Sequence, residues 1–128
     1  MIKISLLLIS IFSLLYGLVF FFSPYFFSEL ILAEPINIAW FSNIGAFICG
    51  VLFLGLLFVY RSPSKNYDLF IIITITSILQ TLGLIFSRFY NEFSAQNTLV
   101  IDFTIYSAVF VSFYLVYILL NYKSIFKK

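Results

Sequence analysis

Seven residues of this chain carry polar chemistry in otherwise apolar surroundings: Glu29, Glu34, Asn43, Gln80, Arg88, Asp102 and Tyr106. Arg88 closes one apolar run, and Asp102 lies in the first turn of the next. A hairpin would bring that cation and that anion together. Placed by depth at about 1.5 Å per helical residue, all seven fall in one half of the runs or in the connectors beside it, as does Tyr16. Such an arrangement predicts a hydrated polar pocket opening to one side of a membrane, because polar groups inside a bilayer are costly and mark candidate functional sites. The same residues also suit a purely architectural role. A cation is favoured at a helix C-terminus and an anion at an N-terminus, Arg88 and Glu92 stand four apart, and Asn43 and Gln80 can hydrogen-bond across helices.

Other chemistry finds little support. The chain has no His, which excludes histidine ligation and His-based proton transfer. The single Cys49 can form no intrachain disulfide and belongs to no CxxC; within an apolar run it reads as a small buried hydrophobe. Ser23, Ser87 and Ser107 have no visible base. Scattered basic residues make no nucleic-acid patch. No catalytic constellation, cofactor or metal is expected.

The elements that must position these residues follow from composition. The 128 residues are 63% hydrophobic and 9% charged, with a mean hydropathy of +1.15. A soluble domain carries about 25% charged residues, so most of this surface must face lipid. Four apolar runs, at 4–22, 38–60, 69–87 and 99–121, approach or exceed the roughly 20 residues a spanning helix needs. The first is longer than a signal-peptide core and lacks a small-x-small cleavage site, so it reads as a retained span. After it, Ser23 can cap and Pro24 can open a short helix. Phe26, Phe27, Leu30 and Ile31 share one side of that segment, Glu29 lies on the other, and Glu34-Pro35 stops it. This predicts an interfacial helix.

Within the runs, Ser42, Ala46 and Gly50 recur at steps of four, flanked by Ala39, Asn43 and Gly45, and Ser10, Ser13 and Gly17 form a shorter analogue. Small residues at that spacing predict close helix approach in lipid. In the third run, Thr74, Ser77, Thr81 and Arg88 form one stripe, and Thr76, Gln80, Gly83 and Ser87 the stripe beside it. Both are expected to turn inward, with Ile71, Ile72, Ile75, Ile78, Leu79, Leu82, Ile85 and Phe86 facing lipid. Phe103, Tyr106, Phe110, Phe113 and Tyr117 make an aromatic stripe on the fourth, a packing or lipid surface.

Four spans put both termini on one side with Lys3, Arg61, Lys65, Lys123, Lys127 and Lys128; the other side has Arg88 and four of the five acids. Basic residues stay cytoplasmic in short loops, so both termini are expected inside a bacterial inner membrane, with the connectors 23–36 and 89–97 outside. The fold expected is all-α: a single membrane domain over 1–128, built as an antiparallel four-helix transmembrane bundle with a short interfacial helix after the first span.

The order of features resembles a known family. A first span runs into Phe-Phe-Ser23-Pro24 and a short amphipathic segment, and a Gly-bearing second span follows. The third ends in Gly83-Leu-Ile-Phe-Ser87-Arg88-Phe89, and an acidic residue marks the fourth. This resembles the small DoxX-like four-span bacterial membrane proteins of unknown function, over almost the whole chain. Pro24, Arg88 and Asp102 carry the likeness. In the second span, Asn43 and the separated Gly45 and Gly50 stand where such proteins often have a basic residue and paired glycines. The resemblance implies a fold rather than an activity. The function expected is that of a non-enzymatic membrane component or accessory subunit contacting lipid, quinone, a second copy or a partner membrane protein. The alternative is a small four-span transporter of amphipathic or cationic compounds acting as a dimer, a class that usually needs a carboxylate deep in the membrane, whereas Asp102 lies at a rim.

Overall fold

The computed structural model of the chain describes residues 2–30, 38–90, 96 and 98–126. Among these, every regular element is helical. In chain order they are α1 (Ile2–Phe22), α2 (Pro24–Leu30), α3 (Ile38–Phe47), a π-helical stretch (Ile48–Leu54), α4 (Gly55–Arg61), a 3₁₀ turn (Pro63–Lys65), α5 (Tyr67–Phe89), α6 (Thr98–Leu120) and α7 (Tyr122–Phe126). α3, the π stretch and α4 form one continuous rod. With α1, α5 and α6 it makes four helices long and apolar enough to cross a membrane. The stop at Glu34-Pro35 lies outside the described residues.

The register of cross-helix contacts fixes the topology. From α1 to the second rod, Ser10 reaches Phe53 while Ser42 reaches Phe21. From α1 to α6, Ser5 pairs with Tyr114 and Tyr16 with Thr104. From α5 to α6, Ser77 pairs with Ser112 and Arg88 with Asp102. In each pair one number rises as the other falls, so every neighbouring helix is antiparallel. α4 packs on α5 through Gly55, where an added Cβ would sit 2.7 Å from Ile73 Cδ1. The result is an up-down-up-down bundle with Ile2 and Phe126 at one end and residues 22–30, Ile38, Tyr90 and Thr98 at the other.

The bundle has two apolar clusters. At the end carrying the termini, Leu6, Leu56, Val59, Phe70, Ile73, Leu115, Ile118 and Tyr122 pack together. Near the connector end, Phe20 packs with Ile101 and Ile105. The rest of the apolar surface stays uncovered, including Ile72, Ile75, Leu79, Leu82, Ile85 and Phe86 on α5 and the whole aromatic stripe of α6. In water this would be untenable. In lipid, burying apolar side chains gains little, and helix association rests on close packing and interhelical hydrogen bonds.

The close packing lies where glycine permits it. An added Cβ at Gly45 would meet Phe21 N at 2.5 Å and Gly17 O at 2.6 Å, and one at Gly17 would meet Cys49 Sγ at 2.6 Å. This corrects the expectation for the second span. Its contact with α1 runs through Gly45 and Cys49; Ala46 is exposed and Gly50 has open space beside it. Ser42 alone of that series reaches α1, donating to the Phe21 carbonyl at 3.4 Å. The π stretch was also unforeseen. In its last turn the Phe53 carbonyl accepts from the fully buried Ser10, at 2.9 Å. Such insertions of a side chain into the backbone ladder accompany irregular helical turns.

The terminal end is tied by polar caps. Asn66 Nδ2 donates to the carbonyls of Phe58 and Ser62, at 3.1 and 2.8 Å, a second donor to acceptors that already take the backbone N–H of Ser62 and of Lys65. After a turn at Asn121, α7 brings Tyr122 beneath the bundle. There its hydroxyl donates to the Pro63 carbonyl at 2.6 Å and its ring packs on Tyr67, Phe70 and Phe126.

Candidate functional site

Among the described residues, the α5–α6 hairpin joins buried hydroxyls and an ion pair, at two depths. In the middle, Ser77, Thr81 and Ser112 are all buried. Thr81 Oγ1 donates to the Ser77 carbonyl at 2.8 Å. Its one proton is thereby used, so Ser112 donates to Thr81, at 2.8 Å. Ser112's proton is used in turn, so Ser77 donates to Ser112, also at 2.8 Å. Three hydroxyls and one carbonyl thus form a directed loop with no proton to spare. One turn back, Thr74 donates to the Phe70 carbonyl at 2.8 Å. The Thr74–Ser77–Thr81 stripe does turn inward. Ser112, its partner on α6, went unmarked in the sequence, where its signal is only a small hydroxyl opposite the aromatic stripe.

At the connector end, Arg88 ends α5 and Asp102 lies in the first turns of α6. Arg88 Nε donates to Asp102 Oδ1 at 2.7 Å and Nη2 to Oδ2 at 3.4 Å. This side-on geometry engages both carboxylate oxygens with one cation, the strong form of such pairs. The two side chains remain 36% and 32% exposed, so the pair sits at a rim. To act as a base or to hold a cationic ligand, Asp102 must first leave Arg88.

The other candidates are spread out. Tyr106, one turn past Asp102, is within electrostatic reach of Arg88, but its ring is 72% exposed on the lipid side of α6. Asn43 is exposed on α3, Gln80 half-buried on α5 and Glu29 exposed on α2. No hydrogen bond joins any of these three to the Arg88–Asp102 pair among the described residues. Glu34 and Glu92 lie outside the described residues. Tyr16 bonds Thr104 at 3.0 Å and so bridges α1 to α6. The second polar stripe of α5 departs from expectation. Thr76, Gln80 and Ser87 are half-buried and Gly83 is exposed, so this flank is not in the interior. The reason is geometric: the interior at this depth is filled by the small Ser–Thr–Ser loop, and a stripe offset by one residue turns away from α6.

Among the described residues no three His, Cys, Asp or Glu side chains gather where they could hold a metal ion. The molecule is an all-α, antiparallel four-helix bundle whose helices are fit to cross a membrane. No family model, no curated protein and no solved structure matches the chain.

Proposed function

We propose that the chain is a non-enzymatic component of a bacterial inner membrane, with both termini cytoplasmic, that acts by contact with lipid, quinone or a membrane protein. One observation carries this reading: the buried hydroxyls at the middle of the α5–α6 contact are consumed by one another in the Ser77–Ser112–Thr81 loop. A substrate site needs polar groups held ready for something else. The DoxX-like resemblance supports the membrane placement but no particular activity, and the distribution of Lys and Arg supports the orientation. The Arg88–Asp102 pair then serves as a rim clamp for the hairpin.

The test is gentle extraction from native membranes followed by mass analysis of the intact particle. The expected result is a particle retaining lipid, quinone or a protein partner. Recovery as a bare monomer would sink the proposal. The clamp is tested separately: Arg88→Ala should lower the yield of folded protein in detergent, and exchanging both charges by Arg88→Asp with Asp102→Arg should recover part of it. An Arg88→Ala protein that folds at full yield but loses its cellular effect would instead mark Arg88 as a ligand contact.

A further inference from the structure

One face of α5 lacks a partner that its chemistry requires. Leu69, Ile73, Thr76, Gln80, Gly83 and Ser87 follow one another at alternating steps of four and three, the spacing of a seam between two helices. The lower part of that seam is filled within the chain, where Gly55 of α4 lies against Ile73 and Leu69. The upper part is not. The side chains of Thr76, Gln80 and Ser87 make no hydrogen bond among the described residues, and nothing lies within 4 Å of a Cβ added at Gly83. Gln80 stands nine residues below the end of α5, about 13 Å at 1.5 Å per residue, near the middle of a hydrocarbon layer about 30 Å thick. A carboxamide there has no water to bond and is costly to leave alone.

We propose that two copies of the chain pair through this face of α5, with Gln80 meeting Gln80 across a twofold axis normal to the membrane. This rests on the membrane-embedded reading above and names the partner as a second copy. The carboxamide is self-complementary: each side chain offers one donor and one acceptor to its twin. A twofold axis places the two at equal depth automatically, and its interface is isologous. Gly83 removes the side chain that would hold the backbones apart, and Thr76 and Ser87 add small hydroxyls above and below. The seam's step pattern suits a left-handed crossing of about 20°.

The test uses the full chain in native membranes, in a Cys49→Ser background. Single cysteines are placed on the seam (Thr76→Cys, Gln80→Cys, Gly83→Cys, Ser87→Cys) and on the lipid arc (Ile75→Cys, Leu79→Cys, Leu82→Cys, Phe86→Cys), then oxidised. The seam series should give a species of twice the chain mass and the arc series should not. Absence of seam cross-links, equal cross-linking of both series, or adducts of any other mass would overturn the pairing. Alkaline carbonate extraction separates the two readings: a chain that stays in the membrane but does not cross-link leaves the membrane reading standing and removes only the dimer. Dilution-dependent energy transfer in lipid vesicles then tests the amide. Gln80→Leu should weaken self-association roughly 3- to 30-fold, and Gln80→Asn should retain most of it. An unchanged association of Gln80→Leu would remove Gln80 from the interface.

Discussion

At the scale of single residues, position within a hydrogen-bond pattern decides what a hydroxyl is worth. Ser107 and Ser112 are both serines of α6. Ser107 donates to the Phe103 carbonyl of its own helix and is exposed. Ser112 is buried and links Ser77 to Thr81. Ser112→Ala therefore takes an acceptor from Ser77 and a donor from Thr81 at once. We expect it to destabilise the folded protein by about 1–2 kcal/mol, the upper range for polar contacts between membrane helices, read as a shifted unfolding midpoint in a detergent titration. Ser107→Ala should stay within about 0.5 kcal/mol, as exposed substitutions do. Equal effects of the two would show that the loop contributes nothing beyond two local hydrogen bonds.

At the scale of elements, the glycines of the second rod make the sharpest contrast. Gly45 faces the backbone of α1, where a methyl group would meet a nitrogen at 2.5 Å and an oxygen at 2.6 Å. Neither can yield without moving a helix. Gly50 faces open space. Gly45→Ala should open the α1–α3 contact and sharply lower the yield of folded protein in size-exclusion chromatography, whereas Gly50→Ala should be neutral or raise helix stability by up to about 1 kcal/mol. A tolerated Gly45→Ala would contradict the register drawn here. Hydropathy alone revealed the four long helices and the lipid side of α5, because run length and arc composition are local properties of the chain. It did not reveal which of the two glycines touches α1, since Gly45 and Gly50 read alike in an apolar run and are told apart by their direction about the rod. The π stretch was hidden for a similar reason: Ile48–Leu54 is as apolar and uninterrupted as a regular helix. In the site, the pairing of Arg88 with Asp102 was legible because opposite charges at adjoining helix ends have few other partners. The outward turn of Gln80 was not, because polarity in an apolar run does not say whether the partner is in the same chain.

At the scale of the whole molecule, the bundle is fastened at the end that carries the termini by Tyr122. Burial beneath the bundle, with Tyr67 close by, pushes its phenol up to about 12, against about 10 in an unfolded chain. Between these values the unfolded state has lost a proton that the folded state keeps, so stability falls as pH rises. The contribution is complete below about pH 10 and is lost on approaching pH 12. An alkaline unfolding series should show this decline, and Tyr122→Phe, which also gives up the bond to Pro63, should flatten it. An undiminished slope in that variant would place the alkaline sensitivity elsewhere. The hydroxyl loop adds a measure of time to this picture. Each of its three hydroxyl protons is engaged in a hydrogen bond at the buried α5–α6 contact, so trading one with solvent requires that contact to open. Their exchange lifetime is set by how often the hairpin parts. Ser77, Thr81 and Ser112 thus carry a clock for the breathing of the bundle, one that runs whatever the protein binds.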